Sequence, residues 1–149
     1  NITLQGRHDT YPKRRGMTRV KELIAADINV AFGHDCVMDP WYSLGSHDML
    51  EVASMGLHVS QMTGQAEMRN MFRAVTTNGA KALGLEGYGL EVGCNADFVV
   101  LQARDEIEAI RLRPVRLHVF RRGAEIASTP PQISTVHMMG EDHSVDFFL

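Results

Sequence analysis

The chain has 149 residues, 44% hydrophobic and 22% charged, with a formal charge of -3. These are the proportions of a water-soluble globular protein large enough for one ordinary core. Its basic clusters, Lys13-Arg14-Arg15 and residues 111–122, are short and interrupted, and no apolar run approaches the roughly 20 residues that cross a bilayer, so neither nucleic acid nor a membrane is an expected partner.

Nothing resembles a secretory signal, and the two cysteines, Cys36 and Cys94, lie in no Cys-x-x-Cys motif. The cytoplasm is therefore the expected compartment, with no disulfide framework and no structural zinc site. The chain opens at Asn1 without an initiator methionine and runs straight into a polar loop, which reads as a piece of a longer protein.

That loop, residues 1–16, contains Gly6, Pro12 and Gly16 and no apolar period. Thr18 then reads as an N-cap for a helix carrying Val20, Leu23, Ile24 and Ile28 on one face. Val30-Ala31-Phe32 is a short apolar run ending at Gly33, the pattern of a strand buried on both faces, so residues 29–34 are expected to form a strand. A loop with Pro40 and Gly45 leads to a helix marked by Met49, Leu50, Ala53, Leu57 and Val59. Another is marked by Met68, Met71, Phe72 and Val75. A short one covers residues 80–83, between Thr77 as cap and Gly84 as stop. Met49, Met55, Met62, Met68 and Met71 read as helix core. Beyond Gly93 the character turns to strands, first residues 97–101, then a hairpin over residues 115–127. The tail after Thr129, with Pro130 and Pro131, shows no helix and reads as a segment that packs on another subunit. A division at residues 93 and 94 follows from this change of character.

The chemistry concentrates at Gly33-His34-Asp35-Cys36. A buried strand that ends in an aspartate and a long loop puts the carboxylate where α/β active sites lie. There one oxygen can hold a divalent metal while the other exchanges a proton with water. On residue type alone, a helix cap or a surface turn is the commoner role for such an aspartate. His34, next to it on extended backbone, should point to the opposite side and read as packing or support. The remaining histidines show no ligand spacing.

Gly33-His34-Asp35, Asp39-Pro40-Trp41-Tyr42 and the opening residues 4–7 and 9–16 resemble the cytosine deaminase branch of the amidohydrolases. Thr76-Thr77-Asn78-Gly79-Ala80 and residues 96–101 match amidohydrolases more generally. The resemblance implies an α/β fold, the C-terminal part of a distorted (β/α)8 metallo-dependent hydrolase barrel with part of a small β domain. Residues 1–93 would be the last barrel units, with the final barrel strand near residues 29–34, and residues 94–149 the small β domain and tail. It also implies one divalent metal, Fe2+ or Zn2+, with Asp35 as the single ligand and catalytic carboxylate present in this chain, the other ligands lying upstream in the N-terminal part of the same enzyme. The reaction would be hydrolytic deamination of a free pyrimidine base, cytosine or 5-methylcytosine, to uracil or thymine with release of ammonia, and the assembly a homo-oligomer, a hexamer.

Cys36 departs from the branch, which carries a second aspartate there, facing the substrate. A thiol removes an acceptor and makes the surface more apolar, so a 5-methyl group is better tolerated. Trp41 is either a platform for the heterocycle or an anchor for its own loop. Arg7 and the Lys13 to Arg15 run read as a solvated face at the pocket mouth. Two alternatives stand beside the deaminase: another amidohydrolase acting on a cyclic amide or amidine, and a non-catalytic fragment. A full barrel needs about 250 residues, more than this chain holds.

Overall fold

The computed structural model describes residues 5–13 and 16–145. Five helices and five strands follow one another as α1 (Val20–Ala25), α2 (Met49–Val59), α3 (Gln65–Ala74), α4 (Thr77–Leu83), β1 (Phe98–Leu101), α5 (Glu106–Leu112), β2 (Arg116–Arg121), β3 (Ala124–Ser128), β4 (Thr135–Met138) and β5 (Glu141–Ser144) among the described residues.

Two of the helix caps differ from the sequence expectation. Thr18 does not cap α1; Arg19 occupies that position without a side-chain bond, and the helix ends at Ala25, so Ile28 lies beyond it. Asp48 caps α2 by accepting the Leu50 amide at 2.8 Å. The Gly64 amide donates to the Glu67 carboxylate at 2.9 Å at the start of α3. Thr77 is the first residue of α4 rather than its cap, while Gly84 does stop the helix, with φ 62°.

Helix α5 was not foreseen. Its signal is present: the Asp105 carboxylate caps the helix by accepting from the Glu108 amide at 2.8 Å, while the Glu108 carboxylate accepts from the Arg104 amide, one residue before the cap, at 2.7 Å. α5 packs on both α2 and α3. The core lies between these helices: Leu50, Ala53 and Leu57 of α2, Met71 and Ala74 of α3, Ala109 and Ile110 of α5, with Val20 and Met62 closing it. Burying Met62, Met71 and Ile110 is worth about 1.5–3 kcal/mol each. Of the methionines read as core, Met55 instead faces solvent, 49% exposed.

Residues 29–34 do not form the expected strand. The segment carries no secondary-structure assignment, and it lies against the α3–α4 junction: Phe32 N–H donates to the Ala74 carbonyl at 2.9 Å, and the Asn78 amide to the Val30 carbonyl at 2.9 Å. A strand exists only with a ladder partner, and the described strands all lie beyond residue 97 and pair with one another. Val30 and Phe32 nonetheless pack on the core, as their apolar character requires.

β1, β2 and β3 make an antiparallel sheet in that order, with Phe98 opposite Phe120 and their rings stacked at 4.7 Å. The foreseen β2–β3 hairpin turns at Arg122 and Gly123, both with positive φ, as a two-residue hairpin turn requires. A second hairpin, β4–β5, turns in the same way at Met139 and Gly140, where the sequence suggested only an irregular tail.

Candidate active site

Asp35 follows the extended segment and takes a left-handed backbone conformation, φ 62°, which aspartate tolerates better than most residues. Its carboxylate is exposed. His34 is held from two sides. Its Nδ1 lies 3.1 Å from the Cys36 carbonyl oxygen, and its ring lies so close to Gly45 that a Cβ there would stand 2.5 Å from Cε1. The imidazole therefore serves as packing.

The loop beyond Asp35 is organised by Asp39. One of its carboxylate oxygens accepts from the amides of Trp41 and Tyr42, each at 2.9 Å, while Asp39 N–H donates to the Tyr42 carbonyl at 3.0 Å. Pro40 sits in the turn, where its fixed φ helps. Met38 N–H donates to the Leu44 carbonyl at 3.1 Å and closes the outer ring of the same loop. Asp39 is thus the loop-former its position beside Pro40 implies.

Cys36, half-buried, joins the carboxylates on either side. Its thiol hydrogen-bonds chiefly to Asp39, and this bond, with desolvation and the charges of Asp35 and Asp39, pushes the thiol pKa up to about 11. The same bond, aided by the Tyr42 and Trp41 amides, holds the Asp39 carboxyl below the usual carboxylate range. At neutral pH Cys36 is therefore a neutral donor and no nucleophile.

Trp41 is 65% exposed, so its indole is not a buried anchor; Asp39 fixes the loop through its backbone. Asp35, Cys36 and Trp41 thus share one stretch, the first two adjacent and the third linked to Cys36 through Asp39. Lys13 is also not a solvated cation: its ammonium donates to the carbonyls of Gly6, Arg7 and Asp9 at 3.3, 2.9 and 2.9 Å. Arg14 and Arg15 lie outside the described residues.

No group of three or more His, Cys, Asp or Glu converges on one point among the described residues. An exposed carboxylate is a suitable donor for a hard or borderline divalent cation, so Asp35 fits as one ligand, and only one.

A family model described as the amidohydrolase family matches residues 1–127. Two structures of 5-methylcytosine deaminase from Klebsiella pneumoniae, liganded with 5-fluorocytosine and with phosphonocytosine, superpose with TM-score 0.83 at 42% identity; the first covers 88% of this chain and 32% of that one, the second 89% and 33%. The chain belongs to the amidohydrolase family, in its cytosine deaminase branch. Other amidohydrolase relatives are more distant. N-isopropylammelide isopropyl amidohydrolase of Pseudomonas sp. (strain ADP) is 32% identical over 70% of this chain and 26% of its own length. Pterin deaminase of Rhizobium rhizogenes is 32% identical over 88% of this chain and 30% of its own length. The chain therefore spans between a quarter and a third of the length of these amidohydrolases. No helix among its described residues is long and apolar enough to cross a membrane.

Sequence reasoning missed two groups that hold this site. Asn78 lies in a segment singled out only as a family signature, and Gly45 was read as loop punctuation; the contact of each with the Asp35 segment spans too many residues for a local pattern to show.

Proposed function

We propose that this chain contributes the last units of the barrel, residues 1–93, and a small β domain, residues 94–149, to a metal-dependent deaminase of a free pyrimidine base, with 5-methylcytosine favoured over cytosine. The observation that carries the substrate is Cys36, a neutral, half-buried thiol beside the exposed Asp35 carboxylate. The 42% identity to a 5-methylcytosine deaminase supports it.

In this reading Asp35 is a ligand of one divalent metal, Fe2+ or Zn2+, whose other ligands come from the rest of the protein. When bound, the metal makes water nucleophilic at neutral pH and stabilises developing negative charge. Asp35 would take a proton from the attacking water as the water oxygen adds to the ring carbon bearing the exocyclic amine, and pass that proton to the substrate. The ring nitrogen and the departing amine each gain one of the water's two protons, the carbon–nitrogen bond breaks, ammonia leaves and a carbonyl remains. Cys36 faces position 5 of the ring, where a carboxylate would oppose a methyl group. Trp41, exposed and fixed by Asp39, offers its indole to the base. The whole protein works in the cytoplasm as a homo-oligomer, with a hexamer the expected form.

The test is ammonia release by the complete enzyme from cytosine and 5-methylcytosine, repeated with Cys36→Asp. One methyl group in an apolar pocket is worth about 1–3 kcal/mol. The substitution should therefore shift the ratio of kcat/KM toward cytosine by roughly 10- to 200-fold. An unchanged ratio overturns the role of Cys36. Release of amine from a substituted triazine or a pterin, with none from either pyrimidine, would instead favour the chemistry of the two relatives at 32% identity.

A further inference from the structure

We propose that Asn78 is a positioning residue that holds the segment bearing Asp35 at its working place; this rests on the reading of Asp35 as the catalytic carboxylate. The place of residues 30–36 depends on hydrogen bonds that reach this stretch from elsewhere in the fold. The α3–α4 junction supplies them. The half-buried Asn78 side chain donates to the Val30 carbonyl at 2.9 Å, the Asn78 backbone carbonyl accepts from the Asn29 side-chain amide at 3.1 Å, and Phe32 N–H donates to the Ala74 carbonyl at 2.9 Å.

These three bonds join residues 29–32 to residues 74–78, and only Gly33 and His34 separate Phe32 from Asp35. The Val30 carbonyl and the Phe32 amide point to the same edge of an extended chain, so Asn78 and Ala74 occupy the place of a neighbouring strand there. Two of the three bonds depend on a side chain, that of Asn78 toward the Val30 carbonyl and that of Asn29 toward the Asn78 carbonyl; the first lies nearer Asp35, and it can be removed without touching the backbone. Downstream of Asp35 the chain is fixed independently, by His34 against Gly45 and the Cys36 carbonyl. Asn78 thus sets the upstream half of a two-point mount for Asp35. A carboxylate displaced by an ångström can lose roughly a hundredfold in rate while substrate affinity barely moves.

The test compares Asn78→Ala with Asn70→Ala, a control that removes an amide from α3 whose oxygen accepts from the Arg73 side chain. Both are made in the complete enzyme. Amide hydrogen exchange is read over residues 30–36, alongside kcat and KM for 5-methylcytosine. The expected result for Asn78→Ala is exchange faster by about tenfold or more, with kcat lowered on the order of ten- to a hundredfold and KM within about threefold. Asn70→Ala should change neither. Unchanged exchange over residues 30–36 overturns the proposal, as does faster exchange with unchanged kcat. If Asn78→Ala fails to fold, Asn78→Asp keeps the size, loses the donor and is judged by the same readouts. Should the parent enzyme release no ammonia from any pyrimidine, the functional reading fails, yet the exchange comparison still decides whether Asn78 holds the segment.

Discussion

Gly45→Ala should destabilise the protein through His34, and its size follows from three contributions. Gly45 has φ +96°, a conformation that costs an L-residue about 1–2 kcal/mol. The new Cβ would stand 2.5 Å from His34 Cε1. The ring must therefore move, losing its contact with the Cys36 carbonyl, worth about 1 kcal/mol. The loss of chain entropy in the unfolded state offsets roughly 0.4–1 kcal/mol. The net expectation is a destabilisation of about 2 kcal/mol. Two companions separate the contributions. Gly93 has φ +98° with nothing within 4 Å of a built Cβ, so Gly93→Ala isolates the strain and should cost about 1 kcal/mol. Gly79 lies inside α4, also with open space, and Gly79→Ala should stabilise by roughly 0.5–1 kcal/mol. Urea unfolding of the three variants, with slopes equal to the parent's, gives the values directly. Gly45→Ala costing no more than Gly93→Ala would refute the role of the His34 contact. So would an excess that persists when His34→Ala is combined with it.

Asp48→Ala removes both the α2 cap at the Leu50 amide and the partner of Arg116, which reaches Asp48 from β2. Unfolding should show a loss of about 1–3 kcal/mol, and Arg116→Ala a smaller one, since the cap survives it. Glu67 is held below the ordinary glutamate range, first by the Gly64 amide and then by Lys21. A depressed carboxylate pKa stabilises the fold above its unfolded-state value and ceases to do so as pH falls through its folded-state value. The stability gap between the parent and Glu67→Gln should therefore be constant near neutral pH and close on acidification beneath the usual glutamate range; a gap that widens in acid would contradict this assignment.

Much of the architecture is local and was legible. The helical periods of α2 and α3, the Gly84 stop and the alternation into β2 are one-dimensional signals that packing only reinforces. Helix α5 escaped because its seven residues are too few for a period to emerge, and because two glutamates at its start read as surface although Glu108 is buried. Hairpin β4–β5 escaped because both of its strands are exposed throughout, so burial imposes no alternation.

The sequence by itself determined that Asp35 and Cys36 stand together at the end of an apolar run, and that the surrounding motifs belong to the cytosine deaminase branch. Tertiary structure decided how that pair is held. Asn78 lies 48 positions from Val30, and Gly45 meets an imidazole 11 residues away, distances at which no periodicity reports contact. It also decided that residues 29–34 are fastened on one edge by a helix junction, because apolar character fixes burial but a strand requires a partner.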